Sequence, residues 1–385
     1  MVSRQALHRS FSHIIIMIKL GTLFSGIGAI EQAFLKLNIP HKIMFAVDNG
    51  ERELPCTNEE IEQVRLLPQK ESKRKVDEMY NSLQKPNYME LTYKSNYNID
   101  DESYFQDVRF FNGAYFHGNV DIIVGGSPCQ TFSSNGKRAG LEDTRGTLFH
   151  EYARIISEAQ PKCFIFENVK GMTTHNKGKT WETIKSVFEQ LNYVLYIKHD
   201  EKGIEDPILN AADYGVPQLR KRLFLIGIRN DIQLLNEFKF PEKIDLATTI
   251  YDYLDDEVPT KYYLGQKGFE FVTTHPSRAQ VGIPVMTCQK ANQQFNWNGT
   301  FIFEPLSIKH TKEILDRAFV GTWKGEKGVI RMFTPRECLR LMGFPDTFKI
   351  VVNDNMMWRQ CGNSIVVNVL EMILNKLIFT GIFND

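Results

Sequence analysis

Four short apolar runs in this chain each end on glycine or on an acid, and that recurrence restricts the fold more than any other feature. Residues 18–24 lead into Ser25-Gly26-Ile27-Gly28, 42–47 into Asp48, 120–124 into Gly125-Gly126, and 163–166 into Glu167. Apolar runs of this length without alternation suit strands buried on both faces, as in a parallel sheet. Helical periods lie between them. Ile30, Ala33, Phe34 and Leu37 are spaced i, i+3, i+4, i+7 over 29–37, and further helices are expected over 147–158 and 181–191. The chain is therefore expected to be α/β, with a doubly wound, mostly parallel sheet whose chemistry gathers at the carboxyl ends of its strands.

The 385 residues suffice for one large domain and a smaller one. With 46 Lys+Arg against 46 Asp+Glu, the whole molecule has no net attraction for nucleic acid, so any basic face must be local. The six cysteines are scattered without C-x-x-C spacing, which gives neither a zinc signature nor a disulfide framework and fits a reduced cytoplasm. The apolar stretch at 14–18 is too short to span a bilayer. Residues 1–16 are expected to be an N-terminal extension before Met17 and the first strand.

The loop after 120–124 stands out. Gly125-Gly126 turns the chain sharply, Pro128 holds Ser127 extended, and Cys129 is presented at a strand's carboxyl end. That placement suits a nucleophile, although a plain loop cysteine fits too. Gly26 and Gly28 would let a ligand approach the backbone, and the helix that follows favours a carboxylate or phosphate at its start. Asp48 could accept two hydrogen bonds from a ribose diol, or simply open a turn before Asn49-Gly50. Glu167 ends an apolar strand, which costs stability unless the carboxyl is solvated or used. Gln218, Arg220 and Arg222 share one face of an extended segment, suited to phosphate or base oxygens or to a solvated edge.

Residues 51–104 are charged and polar, with helices expected over 58–67 and 73–83 and then a loop rich in Tyr and Asn. They exceed what a crossover needs and read as a solvated insertion. A short third strand at 104–106 follows, closed by Asp107-Val108. From about 230 to 330 the α/β rhythm stops, and a small β-rich domain is expected. Its cations (Lys261, Lys267, Arg278, Lys290, Lys309, Lys312, Arg317, Lys324, Lys327, Arg331) outnumber its acids and interleave with Tyr262, Tyr263, Phe295 and Trp297. That composition suits a nucleic-acid surface. Thr334-Pro335-Arg336-Glu337 reads as a capping box that opens a helix ended by Gly343, and residues 360–367 are expected to open the last helix.

Taken together, these segments resemble the DNA cytosine-5 methyltransferases, the bacterial restriction–modification type above all. The resemblance runs from Thr22 to Leu370, in the family's order, through six blocks: Phe24 to Gly28, Ser127 to Gln130, Glu167 to Val169, Gln218-x-Arg220-x-Arg222, Arg336 to Asp346, and Gly362 to Ser364. It implies a Rossmann-like methyltransferase sheet and methyl transfer from S-adenosylmethionine, without a metal, to carbon 5 of a flipped-out cytosine in double-stranded DNA. It implies Cys129 as nucleophile, Glu167 as the acid holding the base, and Arg222, Arg220 and Gln218 beside them. The cofactor would lie on Phe24, Ser25, Gly26, Ile27, Gly28, Asp48, Asp107, Val108, Pro128, Leu148, Asn363 and Ser364. Gln130, Ser133 and Arg145 would meet DNA. Asp48 stands where the family more often has Glu.

The expected division is a catalytic domain at 17–232 with its insertion at 51–104, a target-recognition domain at 233–328, and C-terminal helices at 329–385 returning to the catalytic domain. A monomeric cytoplasmic enzyme is expected, acting beside a restriction endonuclease without a stable complex and away from membranes. The main alternative is a transfer-RNA cytosine methyltransferase, which would share the catalytic blocks. A nicotinamide dehydrogenase would not need the Pro128-Cys129 loop, and a catalytically dead relative would be expected to lack Cys129 or Glu167.

Overall fold

A computed structural model describes residues 17–127, 147–292 and 296–384. The large sheet is built from β1 (Ile18–Leu23), β2 (His41–Val47), β3 (Tyr104–Phe105), β4 (Ile122–Gly125), β5 (Cys163–Val169), β6 (Tyr193–Tyr196), β7 (Ile208–Asn210) and β9 (Lys221–Arg229), with β8 (Gln218–Leu219) lying outside it. Its order is β3-β2-β1-β4-β5-β9-β6, with β7 also paired to β9. β3 through β5 are mutually parallel, while β9 runs antiparallel to β5, β6 and β7. The order reverses between β1 and β4, so a crevice opens at their carboxyl ends, as doubly wound sheets require. Helices cover both faces: α1 (Ala29–Lys36), α5 (Leu148–Ala159) and α6 (Lys179–Gln190) among them. The burial that stabilises this sheet falls on the runs identified from sequence, with Ile122, Ile123, Phe164, Ile165 and Phe166 wholly buried.

Residues 51–104 are not one unit. α2 (Asn58–Arg65) and α3 (Gln69–Asn81) bury Ile61, Val64, Val76 and Tyr80 in a small core of their own with Leu54 and Phe110. α4 (Tyr88–Asn96) occupies the stretch expected to be loop, and its Met89 and Tyr93, with Tyr97, belong to the main core. α4 is the crossover helix from β2 to β3, so the added segment ends before it. Its aromatic and β-branched residues disguise the helical period, and tertiary packing overrides their weak propensity.

A separate four-stranded sheet follows in the later part of the chain, β10 (Ala279–Val281), β12 (Gly299–Pro305), β14 (Glu326–Arg331) and β13 (Gly321–Trp323), in that order. Helices α7 (Gln266–Thr274) and α8 (Lys312–Arg317) accompany it, while β11 (Met286–Thr287) pairs with β8. Two parts of the expected basic surface are corrected. Tyr262 and Tyr263 are buried, and Arg331 is buried among carboxylates, whereas Lys267, Arg278, Lys309, Lys312, Lys324 and Lys327 are exposed. Phe295 lies outside the described residues.

The chain closes with α9 (Pro335–Arg340), α10 (Asp354–Asn363) and α11 (Val367–Phe379). The capping box at Thr334 and Glu337 forms as expected. Residues 360–363, expected to open the last helix, instead end α10, whose start is capped by Asn353. Ser364 breaks the run in extended conformation, and α11 begins three residues later. Among the described residues, Asp354–Phe379 is the one stretch long and apolar enough to cross a membrane. It consists of these two helices and the three residues between them, and half of its most apolar 18-residue window is buried within the protein.

Candidate active site

β4 and β5 run side by side, and their carboxyl ends bring Gly125-Gly126-Ser127 against Glu167-Asn168. The contact at Gly126 is close: a Cβ there would lie 2.5 Å from the Glu167 carbonyl oxygen and 2.7 Å from Oε2, so no larger residue fits. Asn168 Nδ2 donates to the Ser127 carbonyl at 2.8 Å and so ties the end of β5 to the foot of the loop. Ser127 Oγ is buried without a partner among the described residues. Pro128, Cys129, Gln130, Ser133 and Arg145 lie outside the described residues.

Glu167 is partly exposed and meets Arg222 from β9, with Nε 3.2 Å from Oε1. Burial pushes its carboxyl above the usual range, and Arg222 and Arg220 pull it back down. The carboxyl can therefore hold a proton at higher pH than an exposed glutamate while keeping a cation beside it. Arg222 Nη2 also approaches Cys288 Sγ at 3.8 Å, a neighbour no sequence motif signalled.

Gln218, Arg220 and Arg222 do share a face, but they do different things. Gln218 is wholly buried, with Nε2 on the Leu341 carbonyl at 2.8 Å and Oε1 accepting from Gln289 N at 3.0 Å. Arg220, also buried, donates to the carbonyls of Gln289, Gly362 and Ser364 at 2.9, 3.0 and 2.6 Å. Burial and the neighbouring Arg222 lower its pKa to about 10. Gln218 thus joins β8 to Gln289 and to the end of α9, and Arg220 joins the same segment to Gln289 and to the end of α10. Expected beside Arg222 on sequence grounds, both have their side chains engaged by backbone groups of the protein itself.

The second half of the site lies at the ends of β1 and β2. Phe24, Ser25 and Gly26 line a cleft together with Asn363 and Ser364, residues more than three hundred positions away. Gly28, with φ of 79°, starts α1, and Ile27 is buried beneath the turn. Ser25 Oγ accepts from Val47 N at 2.9 Å and fastens the turn to β2. Asp48 accepts Gly26 N on Oδ2 and Gly50 N on Oδ1, each at 2.8 Å. Its turn-opening and ligand-facing readings are therefore compatible, because a carboxylate has about four acceptor sites and two remain. Asn363 is exposed, and its Nδ2 donates to Glu51 Oε1 at 2.7 Å.

Phe24 and Leu148 pack against the same core as buried Val108. Asp107 is buried and heavily used: Arg109 supplies its backbone N–H and guanidinium, and Tyr80 OH donates at 2.7 Å. Its acceptor sites are filled from within the protein, which leaves it less open to a ligand than Asp48.

Comparison with known proteins places this geometry. Residues 61–378 match the family model described as C-5 cytosine-specific DNA methylase. The chain is similar to type II methyltransferase M.HpaII of Haemophilus parainfluenzae, 37% identical over 69% of this chain and 74% of the relative. It is also similar to M.HhaI of Haemophilus parahaemolyticus, 36% identical over 66% of this chain and 74% of that protein. Among solved structures it superposes on the S. pombe Dnmt2 methyltransferase with a TM-score of 0.61, covering 96% of this chain and 100% of the other. At 16% identity, that likeness speaks to the fold alone. With most of its length matched by the family model, the chain belongs to the C-5 cytosine-specific DNA methylases.

Proposed function

We propose that the protein transfers a methyl group from S-adenosylmethionine to carbon 5 of a cytosine flipped out of a specific double-stranded DNA sequence. In this reading it is the modification enzyme of a restriction–modification system, acting as a monomer beside a nuclease it does not bind. The observation that carries the reading is the junction of β4 and β5, where Asn168 holds the foot of the Cys129 loop beside the Glu167–Arg222 pair.

Carbon 5 of cytosine is a poor nucleophile until the ring is activated. Addition of the Cys129 thiolate to carbon 6 breaks the 5,6 double bond and makes carbon 5 enamine-like. Glu167 would donate its proton to N3 as the ring gains electrons, a role its raised pKa supports. Arg222 keeps the carboxyl in place and offers its remaining N–H groups to the base oxygen. Carbon 5 would then bond to the methyl carbon as that carbon's bond to sulfur breaks, with S-adenosylhomocysteine as the leaving group. A base removes the proton from carbon 5, the electron pair left behind reforms the double bond and expels Cys129 as thiolate, and N3 returns its proton to Glu167. Because carbon 6 is unreachable inside a duplex, the base must first be extruded, at about a few kcal/mol.

The cofactor's methionine end would lie over the 24–28 turn facing Asn363 and Ser364, with the ribose on the two spare acceptor sites of Asp48. The cleft fits such a group because its glycine turn is open and its carboxylate is only half used. It supplies an activated methyl group; everything else above is done by the chain. Residues 17–232 with the C-terminal helices would form the catalytic domain, and the exposed cations of 233–328 would meet DNA and choose the neighbouring bases.

A duplex bearing 5-fluorocytosine tests the reading, since fluorine cannot leave as a proton. The expected result is a covalent adduct mapping to Cys129, with bisulfite sequencing of host DNA revealing one methylated motif. An adduct on Cys163 or Cys361, or methylation of transfer RNA but not DNA, would refute it.

A further inference from the structure

The ribose carboxylate proposed above does not hold itself in place. Both hydrogens and both lone pairs of the Asn87 side-chain amide are used. Oδ1 caps α4 by accepting Met89 N and Glu90 N at 3.1 and 3.0 Å. Nδ2 donates to the Asp48 carbonyl and to Gln106 Oε1, each at 2.9 Å. Asn87 thus bridges the ends of β2 and β3, one residue short of Asp107. The fit is tight, since a Cβ on Gly50 would lie 2.2 Å from Asn87 Oδ1. Arg52 braces the same turn from the added segment. Its Nε donates to the Asn49 carbonyl at 3.0 Å, its Nη1 to the Lys85 carbonyl at 3.1 Å, and its Nη2 to Gln106. Asn49 Nδ2 returns a bond to the Arg52 carbonyl at 2.7 Å.

We infer that Asn87 is a positioning residue for recognition of the cofactor ribose: by fixing the 48–50 turn, it aims the free acceptor sites of Asp48 at the ribose hydroxyls. The inference rests on the cofactor reading above and deepens it. It also gives the 51–104 stretch a purpose other than DNA contact, because Asn87 and Arg52 both turn inward and are buried.

Calorimetric titration of the full chain with S-adenosylhomocysteine and with its 2′-deoxy analogue tests this without turnover. Asn87→Ser keeps an oxygen able to cap α4 but loses the donors that reach Asp48 and Gln106. Asn87→Asp keeps the cap at full length and replaces those donors by an acceptor. The wild-type chain should bind S-adenosylhomocysteine about tenfold better than the deoxy analogue, the scale of one hydrogen bond. Both variants should bind S-adenosylhomocysteine about tenfold more weakly and discriminate the two ligands hardly at all. A variant that weakened both ligands by the same factor, or neither, would show a merely structural asparagine and overturn the inference. A wild-type chain that bound neither ligand would overturn the cofactor reading itself, and the inference with it. If Asn87→Ser did not fold, Asn87→Asp alone would decide.

Discussion

Two glutamate–arginine pairs in this protein look alike in a list of charges and are built oppositely. At the end of β14, Arg331 grips Glu337 of α9 with two bonds of 2.9 Å and reaches Glu304 through Nε at 2.5 Å. Glu337 also accepts Thr334 N and Asp255 N, while Glu304 takes Tyr263 OH and His310. Arg331 and Glu337 are wholly buried, and all four acceptor sites of Glu337 are occupied. At the end of β5, Glu167 pairs with Arg222 at 3.2 Å, its one ion-pair partner among the described residues, and remains partly open. A saturated pair fixes structure, whereas an under-satisfied one leaves capacity for a substrate. Glu31 marks the third case: wholly buried on α1, it has a bond from Tyr93 OH but no cation, and Oε2 lacks a partner among the described residues.

The largest effect should come from breaking the saturated pair. Arg331→Met leaves Glu337 and Glu304 as buried carboxylates without their cation, a change that costs about 3–5 kcal/mol of stability. Urea unfolding should record that loss, while the surviving folded fraction keeps its methylation rate per molecule. A stable Arg331→Met protein with impaired chemistry would erase the distinction drawn above.

Glu31 sharpens the comparison through pH. Burial lifts its carboxyl from 4.5 to about 7 in the folded protein, so the folded state holds the proton more tightly than the unfolded chain. The stability this confers is complete below pH 4.5 and is lost as pH rises towards 7. Unfolding measured at pH 5 and pH 8 should show the wild type losing up to about 3 kcal/mol relative to Glu31→Gln, taking 1.36 kcal/mol per unit. Parallel pH profiles for the two proteins would mean the carboxyl is ionised throughout.

At the working pair the expected loss is kinetic. Glu167→Gln should lower turnover about a hundredfold or more, because an amide donates a hydrogen bond but cannot protonate N3. Stability should hardly change, in contrast to Arg331→Met. The wild-type rate should fall as pH rises through the raised pKa of Glu167, and that limb should vanish in the variant. Near-native turnover in Glu167→Gln would leave the pair without a catalytic role.

How much of this was legible depends on the range of the interactions involved. The strand ends and the Thr334–Glu337 capping box are local patterns, and the structure contains them where the sequence puts them. Local sequence shows Glu337 only as a cap, because its partnership with Arg331 depends on how β14 docks on α9. Gln218 and Arg220 could be placed on one face by alternation, but the carbonyls that occupy them lie 69 to 144 residues away. α4 had a local signal that went unused: Asn87 followed three residues later by Glu90, the spacing of a helix start. Its aromatic run outweighed that signal because propensity takes no account of the core into which Tyr93 packs.

The smallest effect concerns the tether between the two halves of the reaction centre. Asn168 contributes one bond of 2.8 Å to the Ser127 carbonyl, while its Oδ1 turns back to Val169 N at 2.9 Å. Asn168→Ala removes that bond and leaves a buried carbonyl unpaired, at about 1–3 kcal/mol. If the tether only stabilised the fold, the whole loss would appear on unfolding and turnover would be unchanged. Since it joins the strand that carries Glu167 to the foot of the Cys129 loop, part of the loss should appear as misalignment of nucleophile and acid. Turnover should then fall about tenfold, with cofactor affinity unaltered because the 24–28 turn and Asp48 are fastened separately. Trapping on 5-fluorocytosine DNA reads this directly, since adduct formation needs only attack at carbon 6, protonation and methyl transfer. A variant that trapped at the wild-type rate would show that the loop is held without Asn168, and that the two poles of the site are coupled only through the sheet beneath them.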